Sequence, residues 1–184
     1  MSVDSPARLT PSHFAAASGV TAAMGSADMD VFTFIQMILM DRAGLYENQI
    51  KDQMGEMQKR NEWLKDANAA LSAMRTARPT NTDDTAEYPS FTTQDGREVR
   101  VQDWCAENGV PFETTGGDNI GLQTEFDQGI QNIKSAVDAA NNQSQLDMTR
   151  LQGLNDKLQN VMTMISNILQ KSGKLMEAIT GNMR

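Results

Sequence analysis

The sequence predicts a mainly α fold: two long antiparallel coiled-coil helices, a small α/β insert between them, and a disordered N-terminal leader. Three observations carry this. From Phe126 to Ile179, alternating steps of four and three residues meet an apolar side chain at thirteen of sixteen positions. Residues 29–78 contain no proline, and Ile50, Met57, Leu64 and Leu71 recur every seven residues. Between these blocks, residues 79–121 lose the helical period and turn to loop chemistry, Gly, Pro, Asn and Asp.

Residues 1–29 are rich in Ser, Ala and Thr, with two prolines and little to bury, and read as a disordered leader. The segment has no basic start followed by a long apolar core, so a cleavable secretory signal is not expected. The sole histidine, His13, falls within it.

The first long helix is expected over 30–78, with Ser26 or Asp28 as N-cap candidates and Pro79 as its stop. Arg75 and Arg78 suit the negative end of such a helix. Met54, Asn61 and Asn68 read as the second column of its seam, polar interruptions that fix register. The helix opens with VFTFIQMILM, residues 31–40, eight of which are apolar. That run is too short to span a bilayer, which takes about 20 residues. Phe32, Phe34, Ile35, Ile38 and Leu39 therefore need cover from protein.

In the insert, RPTNTDDTAEYPS reads as loop. FTTQDGREVRV reads as a hairpin with a two-residue turn at Asp95–Gly96. VQDWCAENG reads as a short helix ended by Gly109. Phe91, Trp104 and Phe112 are expected to form a small core of their own. Residues 80–121 hold nine acids and two bases, a balance of −7 within a chain total of −8. This block is expected on the surface, and the overall acidity argues against nucleic acid as partner.

The last block, 122–184, is expected to be the second long helix. Its seam runs from Phe126 through Leu151, Leu154, Leu158, Val161, Ile165, Ile168, Leu175 and Ile179. Met148, Met162, Leu169 and Met176 occupy the position after each d residue and widen the stripe. A two-helix hairpin covers a narrow a/d seam, whereas an a/d/e stripe calls for further helices. Gly129, Gly153 and Gly173 each cost the helix about 1 kcal/mol against Ala, so either neighbouring packing outweighs them or they mark bends or close approaches of another backbone.

The inventory for chemistry is thin. Cys105, the sole cysteine, has no histidine to serve as its base and reads as a packing residue. QKSGK lacks the upstream glycine and terminal hydroxyl of a phosphate loop, and TTGGDNIG lacks calcium-loop spacing. The residues call for no catalytic site, cofactor or metal. The thirteen methionines fill a core by default, and their flexibility also suits a surface that fits more than one partner.

VFTFIQMILM, WCAENGVPFE and IGLQTEFDQGIQNIKSAVDAANNQSQ together resemble the EspA/SseB-like filament proteins of bacterial type III secretion systems. EMQKRNEWLKDANAALSAMRTARP is similar to the first long helix of related needle-tip proteins. The resemblance implies a secreted subunit that polymerises into a hollow extracellular filament extending the needle and conducting secreted proteins. It further implies a small chaperone before export, the needle subunit and pore-forming translocators as partners, possible contact with the host-cell surface, and an uncleaved leader as export signal. Self-assembly or chaperone contact would then fall on three groups of residues. These are Phe32, Phe34, Ile35, Ile38 and Leu39; Ile50, Met57, Leu64 and Leu71; and Leu151, Leu154, Leu158, Val161, Met162, Ile165, Ile168, Leu169, Leu175, Met176 and Ile179. A pore-forming translocator would need a membrane span that the sequence lacks. A cytosolic coiled-coil adaptor or chaperone-like protein explains the helices but neither the leader nor the insert.

Overall fold

The computed structural model describes residues 31–112 and 118–182. The leader, with its N-cap candidates and His13, lies outside them. Among the described residues the chain forms helix α1 (Val31–Ala77), strands β1 (Thr85–Glu87), β2 (Ser90–Thr92) and β3 (Glu98–Arg100), and helix α2 (Val101–Glu107). Strand β4 (Ile120–Leu122) and helix α3 (Gln123–Asn182) complete it. The fold is thus mainly α, two long helices around a small α/β insert. The chain divides into two compact units, residues 49–153 and residues 1–48 with 154–184.

Within 49–153 the helices run antiparallel, since residues late in α1 meet residues early in α3. Arg60 pairs with Asp147, and Arg78 grips Asp127 through two bonds, Nε to Oδ1 at 2.6 Å and Nη2 to Oδ2 at 2.7 Å. Gln123 Nε2 donates to the Pro79 and Thr80 carbonyls, tying the end of α1 to the start of α3. Glu125 sits at the third position of α3 and accepts from the Leu122 amide at 2.8 Å, satisfying a donor the helix leaves open.

The predicted α3 seam is buried or half-buried at every step from Phe126 to Ser172. In α1 the column Ile50, Met57, Leu64, Leu71 faces inward as expected, but its companion column is shifted by one residue. Gln53, Arg60, Ala67 and Met74 turn inward, whereas Met54, Asn61 and Asn68 are exposed. Both columns satisfy a seven-residue repeat. Ala67 and Met74 decide between them, because they can enter an apolar core where Asn68 and Arg75 cannot.

The insert has no core of its own. Phe91 and Trp104, with Tyr88, Val101, Cys105 and Val110, pack against Ala67, Ala70, Leu71 and Met74 of α1 and Phe126, Ile133 and Val137 of α3, with Phe112 half-buried at the edge. The expected independent cluster is too small to exclude water, and the flanking helices complete it. Tyr88 stacks on Phe126 at 5.0 Å and meets Phe112 edge-on at 4.9 Å, while Trp104 lies between Trp63 and Phe91. Such pairs add about 0.5–1.5 kcal/mol each beyond burial.

Thr85–Glu87 lies in the stretch read as loop, yet it is strand β1. It pairs antiparallel with β4, Thr85 opposite Leu122, and Tyr88 N–H continues the ladder to the Asn119 carbonyl at 2.8 Å. The partner is 33 to 37 residues away, so no local pattern announces it. The β2–β3 hairpin forms as expected, with Phe91 opposite Val99, but its loop is longer than two residues. Gly96 N–H donates to Thr93 O and Thr93 N–H to Arg97 O, which makes Gln94, Asp95 and Gly96 a three-residue loop. Gly96 takes φ +83°, the left-handed position such loops require. Helix α2 ends as predicted. Gly109 has φ +66°, and Val110 N–H reaches the Cys105 carbonyl while Gly109 N–H reaches Ala106, the paired bonds of a Schellman end.

Gly129 is a point of close approach. A methyl group there would sit 2.8 Å from Phe112 Cε2 and 3.0 Å from Met74 Cε. A methyl on Gly153 would meet nothing within 4 Å. Gly129→Ala should therefore lower the urea midpoint, with overpacking of about 1–3 kcal/mol outweighing the gain in helix propensity. Gly153→Ala should raise it by about 1 kcal/mol. Equal shifts of the same sign would show that Phe112 and Met74 do not pack on Gly129.

Candidate interaction surfaces

In the unit of residues 1–48 with 154–184, α1 and α3 contribute a small core of Leu39, Ala43, Val161 and Ile165, with Tyr46, Leu158 and Ile168 packed against it. Fully burying a Leu, Ile or Val is worth about 1.5–3 kcal/mol. Four such positions, one an alanine, make a thin core for two helical segments.

The opening run of α1 divides by side. Leu39 is buried, Phe32 and Phe34 are half-buried, and Ile35 and Ile38 are exposed. Val31, Met37, Met40 and Leu45 are exposed as well, and these were not among the predicted contact residues. A strongly apolar run has no polar side to mark its outer face, so periodicity alone could not separate Leu39 from its neighbours.

On α3 the pattern is cleaner. Leu154, Val161 and Ile165 are buried, and Leu151, Leu158 and Ile168 are half-buried. The widening column stands outside: Met162 is 47% exposed, Leu169 50% and Met176 67%. Met164 and Leu175 are exposed too, and the side chain of Ile179 lies outside the described residues. Through Ser172 seam and column thus separate as the a/d/e pattern requires, the seam covered within the chain and the column left apolar in solvent, whereas Leu175, expected in the seam, is 47% exposed. Leu39, Leu71, Leu154, Val161 and Ile165 are consumed by the intrachain seam, and the free apolar surface is the neighbouring column.

In the 49–153 unit, Leu146, Met148 and Met54 are exposed on the helices, and Ile120 and Leu122 on β4. The insert's acids Asp83, Asp84, Glu87, Asp95, Glu98, Asp103, Glu107 and Asp118 are all exposed. Asp95 organises its turn. It accepts from Thr93 Oγ1 and from Arg97 Nε at 2.6 Å, and these bonds hold its carboxyl down at about 2.

Among the described residues, no group of three or more His, Cys, Asp or Glu could hold a metal ion, and no helix is long and apolar enough to cross a membrane. QKSGK lies inside α3, its amides committed to helix bonding rather than to a phosphate cradle. Cys105 is fully buried, and burial pushes its thiol up to about 12. No protein-family model, curated protein or solved structure matches the chain.

Two solution measurements check these environments. The Cys105 thiol should resist iodoacetamide at pH 8 in the native protein, with about a thousand-fold less thiolate than at an ordinary pKa, and react on unfolding. Fast native labelling would place it in contact with solvent. For Asp95 the folded pKa lies below the unfolded one, so its contribution is present above the ordinary carboxylate value. It is lost as pH falls from about 4 through 2. The Gly96 amide should lose exchange protection across that window, and Asp95→Asn should flatten the transition; an unchanged profile in the variant would remove Asp95 as the cause.

Proposed function

We propose that the chain is a structural subunit of an extracellular type III secretion filament, which extends the needle and conducts secreted proteins toward the host-membrane pore. The observation that carries the reading is the exposed column Met162, Leu169 and Met176, beside a seam that is filled from within the chain through Ile168 and exposed at Leu175. Large apolar side chains repeated along one exposed helix face suit a place of association. The exposed Ile35 and Ile38 near the start of α1 add to it, and the resemblance in VFTFIQMILM, WCAENGVPFE and the opening of α3 gives the association its biological setting.

On this reading the apolar column is covered by neighbouring subunits outside the cell and by a small chaperone before export. The needle subunit and the pore-forming translocators meet the filament at its ends. The acidic insert faces outward, where its net −7 over residues 80–121 is not stacked against copies of itself. No reaction is assigned to the chain.

Assembly of the purified protein at rising concentration, followed by light scattering and negative-stain microscopy, tests the reading. Wild type should form filaments. Met162→Gln, Leu169→Gln and Met176→Gln together should shift the onset to at least about ten-fold higher concentration, the effect of losing about 1.4 kcal/mol per contact set. Helical circular dichroism should be unchanged, because these side chains lie outside the seam. A wild type that stays monomeric at all concentrations would favour the coiled-coil adaptor reading, and a triple variant that polymerises normally would move the contact elsewhere.

A further inference from the structure

The seam in the 49–153 unit is interrupted by charge. Arg60 of α1 pairs with Asp147 of α3, with side chains 26% and 6% exposed. Gln143 Nε2 donates to Asp147 Oδ1 at 3.1 Å, one helical turn away. Gln53, a heptad before Arg60, is buried with its Nε2 unpartnered among the described residues. Buried ion pairs are poor sources of stability, because desolvation offsets the attraction and apolar replacements are often at least as stable. The pair therefore invites an explanation other than strength.

We propose that Arg60 and Asp147 determine partner choice, favouring the antiparallel α1–α3 hairpin over homotypic pairing of α3 between two copies. The α3 seam is the more regular of the two, apolar at thirteen of sixteen positions, and taken alone it suits a parallel coiled coil with a second α3. In that alternative, in register, Asp147 is a d residue and faces Asp147 of the other copy. Two carboxylates in a desolvated layer repel, with no cation on either seam to relieve them. Parallel pairing of α1 places Arg60 against Arg60 in the same way. The antiparallel intrachain pairing is the arrangement that brings the two opposite charges together. A polar layer that costs stability and excludes competing partners is an established use of buried charge in coiled coils. The inference stands apart from the filament reading, since it concerns how the chain chooses itself over a copy.

Full-length protein carrying Ser144→Cys reports the competitor. Ser144 is the a residue three positions before Asp147, half-buried in the hairpin seam, and in a parallel α3 pair it meets its counterpart. Buried Cys105 stays as it is. In a glutathione buffer the reporter protein should show little intermolecular disulfide. Adding Arg60→Leu with Asp147→Leu should increase it about five-fold or more, while the thermal midpoint is kept or raised. The charge swap Arg60→Asp with Asp147→Arg should return cross-linking to the reporter's level, since the hairpin pair is restored and the homotypic layer still repels. Cross-linking that stays at the reporter's level in the apolar double variant overturns the proposal. Equal cross-linking in the swap and the apolar variant overturns it as well, because it reports general loosening of the seam.

Discussion

Phe126 is fully buried, and its surroundings come from three separated stretches of chain. Tyr88 stacks on it from the insert, and the same cluster holds Met74 from late α1 and Ile133 from two turns further along α3. The 49–153 unit depends on this meeting. A pair of helices joined by a long polar segment would have no reason to close at that end, and the insert's aromatics would have nothing to lie against. Closure is held from outside by Arg78 on Asp127 and by Gln123 on the Pro79 and Thr80 carbonyls. These solvent-facing bonds are worth little singly, and they position elements that the core has already brought together.

Away from that end the seam changes character. Large apolar side chains give way to Arg60, Asp147 and Gln53. The other unit has its own small cluster around Leu39 and Val161. Local stability follows buried apolar contact, so the two units differ in how readily their helices open. The thinner unit is also the one bearing the exposed column of α3. On the proposed function, association would supply the burial that this thin core lacks, and the ordering cost would be met at the moment of binding.

Much of this was legible in the residues. The α3 seam could be followed to Ser172, because a single long helix repeats one rule many times and chance does not. The end of α2 at Gly109 was legible because a left-handed C-terminal position is a chemical demand on one residue. The α1 register was harder. With Met54 on one column and Gln53 on the other, the local choice favours the wrong side, and only Ala67 and Met74 further along reverse it. Strand β1 was not legible at all, since its identity is conferred by Leu122, Gly121 and Ile120 from the far end of the insert. The exposed and buried sides of residues 31–40 were hidden by the run's uniformity. The resemblance to a filament family rests on sequence texture alone.

The shared core also sets an order on synthesis. A ribosome delivers α1 first, with Ala67, Ala70, Leu71 and Met74 on one face, then the insert with Phe91 and Trp104, and only afterwards Phe126, Ile133 and Val137. Until that last stretch emerges, ten of the cluster's thirteen buried residues exist without their lid, and no earlier stopping point yields a sealed interior. A nascent chain of this design is adhesive for most of its birth. Helix formation in α1 is local and fast, whereas the contacts that complete the cover of its apolar face, with Phe126, Ile133 and Val137, span more than fifty residues and must wait for the remainder of the polypeptide. The cell that makes it has to keep that half-built surface from its neighbours during translation, a requirement separate from whatever covers the finished molecule.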